Sequence, residues 1–336
     1  MTQSSIGDLA LGFQNRLANM RLKREMQALS GELTTGRVRD VSAALGRDLG
    51  ALAGIEASLR ALDAYQVAAS EAALMGSAAQ AALATLDRTG NNVGPALVRA
   101  GTHGEATQLQ AAAEEGEAGL ETILAALNTR VADRSIFAGT ATASPAVADA
   151  ETILAALEAE IGGETTAAGV SAQIDAWFDS AGGGFESVGY LGAETALAPI
   201  EVAPGVEAEF SLTAADPQIR DLLKGYAMAA LLARGALSVA HEERVALARE
   251  AGERVLTSAG ELATLSASVG RAEGRIEEAR AANAAEVTAL EIARSGLVAA
   301  DPYATASALE EVRGQIEALY TITGRMSRLS LAEYLR

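Results

Sequence analysis

The chain contains no cysteine and very few aromatic residues. The absence of cysteine among its 336 residues excludes disulfides and thiol chemistry. Aromatic residues make up 4% of the chain, and only one of them is tryptophan. Alanine, leucine, glutamate, arginine and glutamine dominate instead, and all of these favour helix. The composition therefore predicts long helices joined by small residues rather than the aromatic-rich core of a compact enzyme.

Long uninterrupted apolar runs are also missing. The first residues, "MTQSSIGDLALGFQNRLANMRLKREM", have no apolar stretch behind a basic start, so we expect no cleavable signal peptide. No segment approaches 18 apolar residues without a charge. The sequence therefore predicts no insertion into a membrane.

Positive charge is missing from the middle of the chain. The formal net charge is −18, and residues 140–218 hold 13 acidic side chains and no lysine or arginine. Nucleic acid is an unsuitable partner for such a segment, because binding to phosphates needs lysine and arginine. The acidic stretch is typical of a module that faces solvent. The first 40 residues differ, with six basic side chains against four acidic ones.

Apolar side chains recur at helical spacing at both ends of the chain. Near the start, residues 5–34 are predicted to form one helix that ends at Gly36, a residue that tolerates a left-handed backbone. Near the end, Val312, Ile316 and Leu319 follow the four-three spacing of a coiled-coil seam. We therefore expect the two terminal helices to lie alongside each other.

The last helix needs a neighbour to be stable. It contains Gly314 and Gly324, which each cost roughly 1 kcal/mol relative to alanine. Its apolar residues spread over more than one stripe, which predicts more than one neighbour, as a tube of many subunits would supply. The predicted assembly contacts are Ile6, Phe13, Met20, Leu22, Met26, Leu29, Leu309, Val312, Ile316, Leu319, Met326, Leu329, Leu331 and Leu335.

Between the ends, helical patterns flank a mixed segment. Helices are predicted over 44–92, with an interruption at "GNNVGP" (90–95), and over 105–129. Short helices are expected over 151–161 and 170–180, and "APIEVAPGVEAEFSLTA" (198–214) predicts a β-hairpin around Pro204-Gly205. Asp216-Pro217 and Asp301-Pro302 are predicted to start further helices.

The predicted fold is mainly α. It is a long-helix, coiled-coil-like bundle formed by the N- and C-terminal segments, with a small α+β insertion. The predicted divisions are an N-terminal assembly helix (1–40), a helical core (41–139), an acidic outward-facing insert (140–215), a second core half (216–300) and a C-terminal assembly helix (301–336).

No pattern in the sequence indicates a catalytic, cofactor-binding or metal site. "HEER" (241–244) lacks the second histidine that a zinc-protease helix carries four residues on. Adjacent glutamates such as Glu242-Glu243 point about 100° apart on a helix and do not face each other. "AGGGF" (181–185) is not followed by the Lys-Ser/Thr of a phosphate loop. Trp177 and Phe178 are predicted to anchor the core of the insert. We therefore expect neither enzymatic activity nor a cofactor.

Four segments carry a resemblance to a known family. They are "QALSGELTTGRVRD" (27–40), "ALNTRVADRSIFAGT" (126–140), residues 267–312 and "RLSLAEYL" (328–335). The order of these segments and their distances from the termini are those of a known family. On these features the chain resembles the flagellin superfamily, and within it the hook-associated proteins of the hook–filament junction. The family commonly has an Asp-Asp-Pro-Ala segment after Thr-Gly-Arg, whereas this chain has "RDVSAALGRDLG" without proline.

The resemblance implies a structural subunit of the bacterial flagellum. It implies export without a cleaved signal, an extracellular location, and terminal helices that pack against neighbouring subunits. The implied partners are further copies in a ring, another hook-associated junction protein, flagellin and a flagellar export chaperone.

Two alternatives stay open at this point. A divergent filament flagellin would share the same core segments. An intracellular coiled-coil binding or adaptor protein would also carry apolar heptads at its ends.

Overall fold

The computed structural model describes residues 3–46 and 49–334 and, within these, the side chains of all residues except 3–9, 11 and 326–334. The described chain is mainly α-helical, as predicted, with two short antiparallel strand pairs. It divides into a terminal unit (residues 1–61 and 284–336) and a central unit (residues 62–283). The boundaries predicted at 40, 139, 215 and 300 stay a prediction. None of the described helices is both long enough and apolar enough to cross a membrane.

The terminal unit is built from helices. It contains α1 (Gln3–Thr35), α2 (Val41–Ala44), the start of α3 (Gly50–His103), the end of α8 (His241–Val298) and α9 (Pro302–Tyr334). As predicted, α1 is one helix and ends at Gly36, whose φ of +67° lies in the left-handed region. The predicted start of α9 is confirmed, since Asp301 Oδ1 accepts hydrogen bonds from the N–H groups of Tyr303 (2.9 Å) and Ala304 (3.1 Å).

The central unit combines helices with two small hairpins. Its elements are the rest of α3, α4 (Ala106–Leu127), β1 (Arg130–Val131), β2 (Arg134–Ser135), α5 (Ala150–Glu160), α6 (Ala167–Asp179), β3 (Ile200–Ala203), β4 (Val206–Ala208), α7 (Pro217–Ala233) and the start of α8. The predicted hairpin at Pro204-Gly205 is confirmed, with β3 antiparallel to β4 and φ of +71° at Gly205. The short helices predicted near 151–161 and 170–180 are α5 and α6.

The interruption predicted at residues 90–95 is wrong. Helix α3 continues through this segment, with Pro95 inside it. The glycines in this segment allow α8 to approach α3 closely, and they do not form a turn. A Cβ at Gly90 would lie 2.8 Å from that of Ala259, and one at Gly94 would lie 2.7 Å from Leu256 Cγ. Tertiary packing of α3 against α8 therefore outweighs the local helix-breaking tendency.

Glycine also brings α7 close to its neighbours in the central unit. A Cβ on Gly119 of α4 would lie 2.5 Å from the Tyr226 ring of α7, and one on Gly225 would lie 2.7 Å from Val255 of α8. Gly116 makes a similar approach to Ala229. Nearly all of α7 from Leu222 to Leu232 is buried as a result. The core thus relies on close backbone approach rather than on large side chains.

Trp177 and Phe178 are buried, as predicted, in an aromatic cluster. Their ring centroids lie 4.8 Å apart in an edge-to-face arrangement, and Phe185 lies 5.2 Å from Phe178. Phe185 begins a π-helical turn, Phe185–Gly189, and stacks on Tyr190. These rings belong to the same continuous core as the helices of the central unit.

Asp216 precedes α7, as predicted, but its carboxylate does not cap the helix. Asp216 Oδ2 instead accepts a hydrogen bond from the N–H of Thr213 at 2.8 Å. Burial raises the pKa of the Asp216 carboxyl, and the bond from Thr213 opposes that rise. The carboxylate therefore orders the chain before the helix instead of the first helical turn.

The segment after α4 is fixed by two of the residues that carry the family resemblance. Asn128 Oδ1 accepts hydrogen bonds from the N–H groups of Ala146 (2.8 Å) and Val147 (3.0 Å), while its Nδ2 donates to the Val147 carbonyl. Gly139 has φ of +56°, and a Cβ there would overlap the carbonyl oxygens of Ala193 and Thr195. Glycine is therefore required at 139 for two separate reasons.

We predict that Gly139→Ala lowers the free energy of unfolding of the central unit by about 2–4 kcal/mol, because it adds a steric overlap to a left-handed backbone. Urea unfolding followed by the fluorescence of Trp177, the single tryptophan, measures this.

Gly205→Ala is the matched control. Gly205 has a similar positive φ, but a Cβ there would meet no atom within 4 Å. We expect a loss of only about 1 kcal/mol. Equal losses for the two variants would contradict this account of Gly139.

Candidate functional site

The two ends of the chain are joined where α1 stops and α9 starts. Arg37 forms an antiparallel β-bridge with Ala299, the N–H of Ala300 donates to the Gly36 carbonyl at 2.9 Å, and the N–H of Val38 donates to the Val298 carbonyl at 3.0 Å. Helices α1 and α9 therefore run antiparallel away from this joint. The Thr-Gly-Arg segment that carries the family resemblance thus has a structural role here.

The side chain of Glu32 holds the chain that leaves α1. Its Oε1 accepts a hydrogen bond from the N–H of Arg39 at 2.7 Å, and Asp40 in turn caps α2 by accepting from the N–H of Ala43. These two contacts lie in or lead into the segment "RDVSAALGRDLG" (39–50), which contains no proline. The turn is therefore ordered by side-chain hydrogen bonds to the backbone instead of by a proline ring.

Six of the predicted assembly residues pack against one another between α1 and α9. We call this set the inner seam. Leu22, Val312 and Ile316 are its buried centre, and Leu22 is only 5% exposed. Met26, Leu29 and Leu319 flank the centre and are partly buried. Leu309, another predicted contact, is buried as well. These residues are covered within the chain, so the structure does not leave them free for a neighbouring copy.

Two other predicted assembly residues, Phe13 and Met20, lie on the opposite face of α1. They are 56% and 49% exposed, and Leu17 between them is 46% exposed. The spacing 13, 17, 20 places the three on one stripe, which we call the outer stripe. Met20 and Leu22 differ by two residues, or about 200° around the helix. Helix α1 therefore has an apolar face on each side, and only one is covered by α9.

Leu17 was not among the predicted contacts. The spacing of four and three residues between Phe13, Leu17 and Met20 could have identified it, because this is the same spacing that identified Val312, Ile316 and Leu319. On α9, Tyr320 and Ile322 are also exposed, and the Nζ of Lys23 lies 5.9 Å from the Tyr320 ring centroid.

The remaining predicted assembly residues lie outside the described side chains. Ile6 is in α1, while Met326, Leu329 and Leu331 are in α9, and only the backbone is described at these positions. Leu335 lies outside the described residues altogether. The assembly role assigned to all fourteen residues stays a prediction.

The two units differ sharply in charge. Residues 1–61 and 284–336 contain 13 basic and 13 acidic side chains, whereas residues 62–283 contain 13 basic and 31 acidic ones. The central unit therefore carries the entire net charge of −18. A neutral surface with an exposed apolar stripe can approach a second copy of itself without the repulsion that the central unit would impose.

Charged side chains also gather in the central unit, in a cleft between α6, α7 and α8. The Nζ of Lys224 lies 2.6 Å from Asp179 and 2.7 Å from Asp221, and Arg254 pairs with Asp175. The Lys224 side chain is only 5% exposed, and these carboxylates satisfy it. The cleft therefore holds an ion-pair network that ties α6 to the two longer helices, although six carboxylates line it against two cations.

The side chains considered above for chemistry make structural contacts. His241 begins α8, and its Nε2 lies 2.7 Å from the Gly104 carbonyl. Glu243 Oε2 accepts a hydrogen bond from the N–H of Ala167 at the start of α6. Across residues 3–46 and 49–334, no group of three or more histidine or acidic side chains is placed to hold a metal ion.

Comparison with known proteins gives a structural likeness but no sequence match. No family model matches the chain, and no curated protein matches it in sequence. Among solved structures, the chain is similar to one described as that of a candidate flagellar hook-associated protein from Vibrio parahaemolyticus. The two share 12% sequence identity with a TM-score of 0.48, over 73% of this chain and 95% of the other.

We predict that Leu22→Ala destabilises the pairing of α1 with α9 by about 2–4 kcal/mol, since it opens a cavity at the centre of the inner seam. Hydrogen exchange of the backbone amides in both helices should accelerate accordingly.

Leu17→Ala is the matched control, because it removes the same atoms from the outer stripe of the same helix. Exposed truncations usually change stability by no more than about 0.5 kcal/mol. If Leu17→Ala accelerated exchange as much as Leu22→Ala, the outer stripe would be covered and the assignment of the two faces would be wrong.

Proposed function

We propose that this chain is a structural, non-enzymatic subunit of the bacterial flagellum, placed at the junction of hook and filament. The observation that carries the proposal is the two-sided apolar character of α1. Its inner seam is covered by α9, while Phe13, Leu17 and Met20 remain exposed. A subunit that assembles through its terminal helices needs such a second face.

The segments of the family resemblance support the proposal by their placement. "LTTGR" ends α1 and forms the joint with the chain that precedes α9. Asn128 and Gly139 fix the exit from α4. These two segments thus lie at points where the direction of the chain is set, which is where a family-wide structural requirement would act.

The energetics favour contact with several neighbours over a simple pair. The three outer-stripe side chains are already about half covered, so burial of the remainder contributes roughly 0.7–1.5 kcal/mol each. Association costs about 4–15 kcal/mol in lost freedom and ordering. One such contact therefore falls short of its own cost, whereas a copy that touches several neighbours gains from each of them. The predicted partners, namely other copies, a second hook-associated protein and flagellin, fit this arrangement.

The outer stripe also gives an export chaperone a surface to cover. Before assembly, an exposed apolar stripe is a liability for aggregation. A chaperone that covers α1 or α9 until export would remove this liability, and export through the flagellar apparatus would account for an extracellular location without a cleaved signal.

A divergent filament flagellin is the second candidate, since it would use the same paired terminal helices. The ending "LSLAEYL" favours the junction protein. Copy number separates the two, because a filament protein is present along the whole filament and a junction protein in a single short zone.

We predict that the double variant Phe13→Ser/Leu17→Ser folds normally but fails to assemble. It removes two exposed apolar side chains and leaves the inner seam intact. The measurement is incorporation into flagella in cells, with hydrogen exchange of α1 and α9 as the test of folding. Normal incorporation would show that the outer stripe is not an assembly surface.

Deletion of residues 311–336 is the more severe companion variant. It removes Val312, Ile316 and Leu319 and should abolish assembly, while the central unit stays folded because its core lies within residues 62–283. Trp177 fluorescence reports the central unit directly. A deleted chain that still enters flagella would contradict the proposed role of the terminal helices.

A further inference from the structure

The joint between α1 and α9 borders a pocket that the terminal helices do not fill. The pocket has a volume of about 290 Å³. Its apolar walls are formed by Val38, Val41, Leu52 and Val298. This volume accommodates a few aliphatic carbons but is small for an ordinary metabolite. The pocket therefore suits one or two aliphatic side chains of another polypeptide.

Two arginines give the mouth of this pocket a positive character. Arg37 and Arg294 both line it, and Glu56 is the one carboxylate among its lining residues. In the part of the chain that the structure describes, Arg37 has no carboxylate within ion-pair distance, and Arg294 has only Glu291 at 3.9 Å. An occupant that presents aliphatic side chains between carboxylates would complement both features.

A segment of the central unit has this chemistry. Val188 and Leu191 are 37% and 44% exposed, and Glu186 and Glu194 flank them. The segment lies in the stretch without lysine or arginine, on the unit that carries the entire net charge. Its two aliphatic side chains are three residues apart in sequence, and the pocket has room for two aliphatic side chains.

The backbone of this segment is well ordered. The N–H of Leu191 donates to the Ala146 carbonyl at 2.9 Å, and the N–H of Tyr190 donates to the Phe185 carbonyl at 2.6 Å. The hydroxyl of Tyr190 donates to the Ala193 carbonyl at 2.8 Å. A segment held in this way loses little conformational freedom when it docks.

The hairpin tip is a weaker match. Val206 is also exposed there, but it is a single aliphatic side chain. The nearby Glu201 already accepts hydrogen bonds from the N–H of Gly205 and the hydroxyl of Tyr65. The tip therefore offers less apolar surface. The carboxylates do not separate the two segments, because Glu186 Oε2 likewise accepts a hydrogen bond, from the N–H of Gly182 at 2.6 Å.

We propose that the pocket at Arg37 and Arg294 of one copy receives Val188 and Leu191 of a neighbouring copy. Glu186 and Glu194 then face the two arginines. This inference rests on the proposed function for the presence of neighbouring copies. We call residues 186–194 the knob. Because the pocket and the knob are different surfaces, the contact is heterologous and propagates from copy to copy into a ring or a helix.

The absence of cysteine allows a direct test by crosslinking. Val41→Cys places a thiol in the pocket of one chain, and Leu191→Cys places one on the knob of another. The two purified full-length variants are mixed, oxidised mildly and separated without reductant. We expect a disulfide-linked pair that contains one chain of each kind, and a ladder of higher multiples from a chain that carries both substitutions.

Two controls make the test specific. Val206→Cys in place of Leu191→Cys should give no crosslink with Val41→Cys. Arg37→Glu/Arg294→Glu in the pocket chain should lower the crosslink yield roughly tenfold, and Glu186→Arg/Glu194→Arg in the knob chain should restore it.

Three results would overturn the inference. They are an equal yield with Val206→Cys, a dominant Val41→Cys homodimer, and no crosslink at concentrations where the unmodified chain associates. Failure of the proposed function gives a different result. If the specific crosslink forms but the protein is absent from flagella, the contact between copies is supported and the flagellar role is contradicted.

Discussion

The pairing of the two chain ends is the interaction on which the rest of the structure depends. At the joint, the backbone of residues 36–38 bonds to that of 298–300, and from there α1 and α9 run side by side over the inner seam. Without this pairing, each helix would be an isolated amphipathic segment and only marginally stable in water. When the two helices pair, α9 covers the inner seam of α1 and leaves the outer stripe exposed. The same contact therefore stabilises the terminal unit and defines its free surface.

The two units use different physical means for different purposes. The central unit packs by close helix approach at positions such as Gly119 and Gly225, and an ion-pair network around Lys224 fastens α6 to it. It carries all of the net charge, which keeps copies apart except where charges complement each other. The terminal unit is neutral and exposes apolar side chains, which suits close contact. This division of charge and apolar surface is what the proposed assembly through the chain ends requires.

Much of the fold was predictable because it depends on local rules. The end of α1 at Gly36, the capped start of α9 at Asp301 and the hairpin at Pro204-Gly205 follow from backbone preferences that a few residues determine. The continuation of α3 through Gly90 was not predictable, since its reason is a neighbour more than 160 residues away in sequence. The terminal site was predicted in part. Heptad spacing found most of the apolar residues of α1 but not Leu17, and periodicity alone does not say which face α9 covers.

Immunogold labelling of purified flagella tests the central claim most directly. The antibody should be raised against the whole chain, with flagella from a strain that lacks the protein as the control. We predict a single narrow zone of gold where hook meets filament. Gold along the whole filament would instead identify a filament subunit. Unlabelled flagella, with the protein recovered from the cytoplasm, would contradict the flagellar role and indicate that the apolar helix faces serve an intracellular partner.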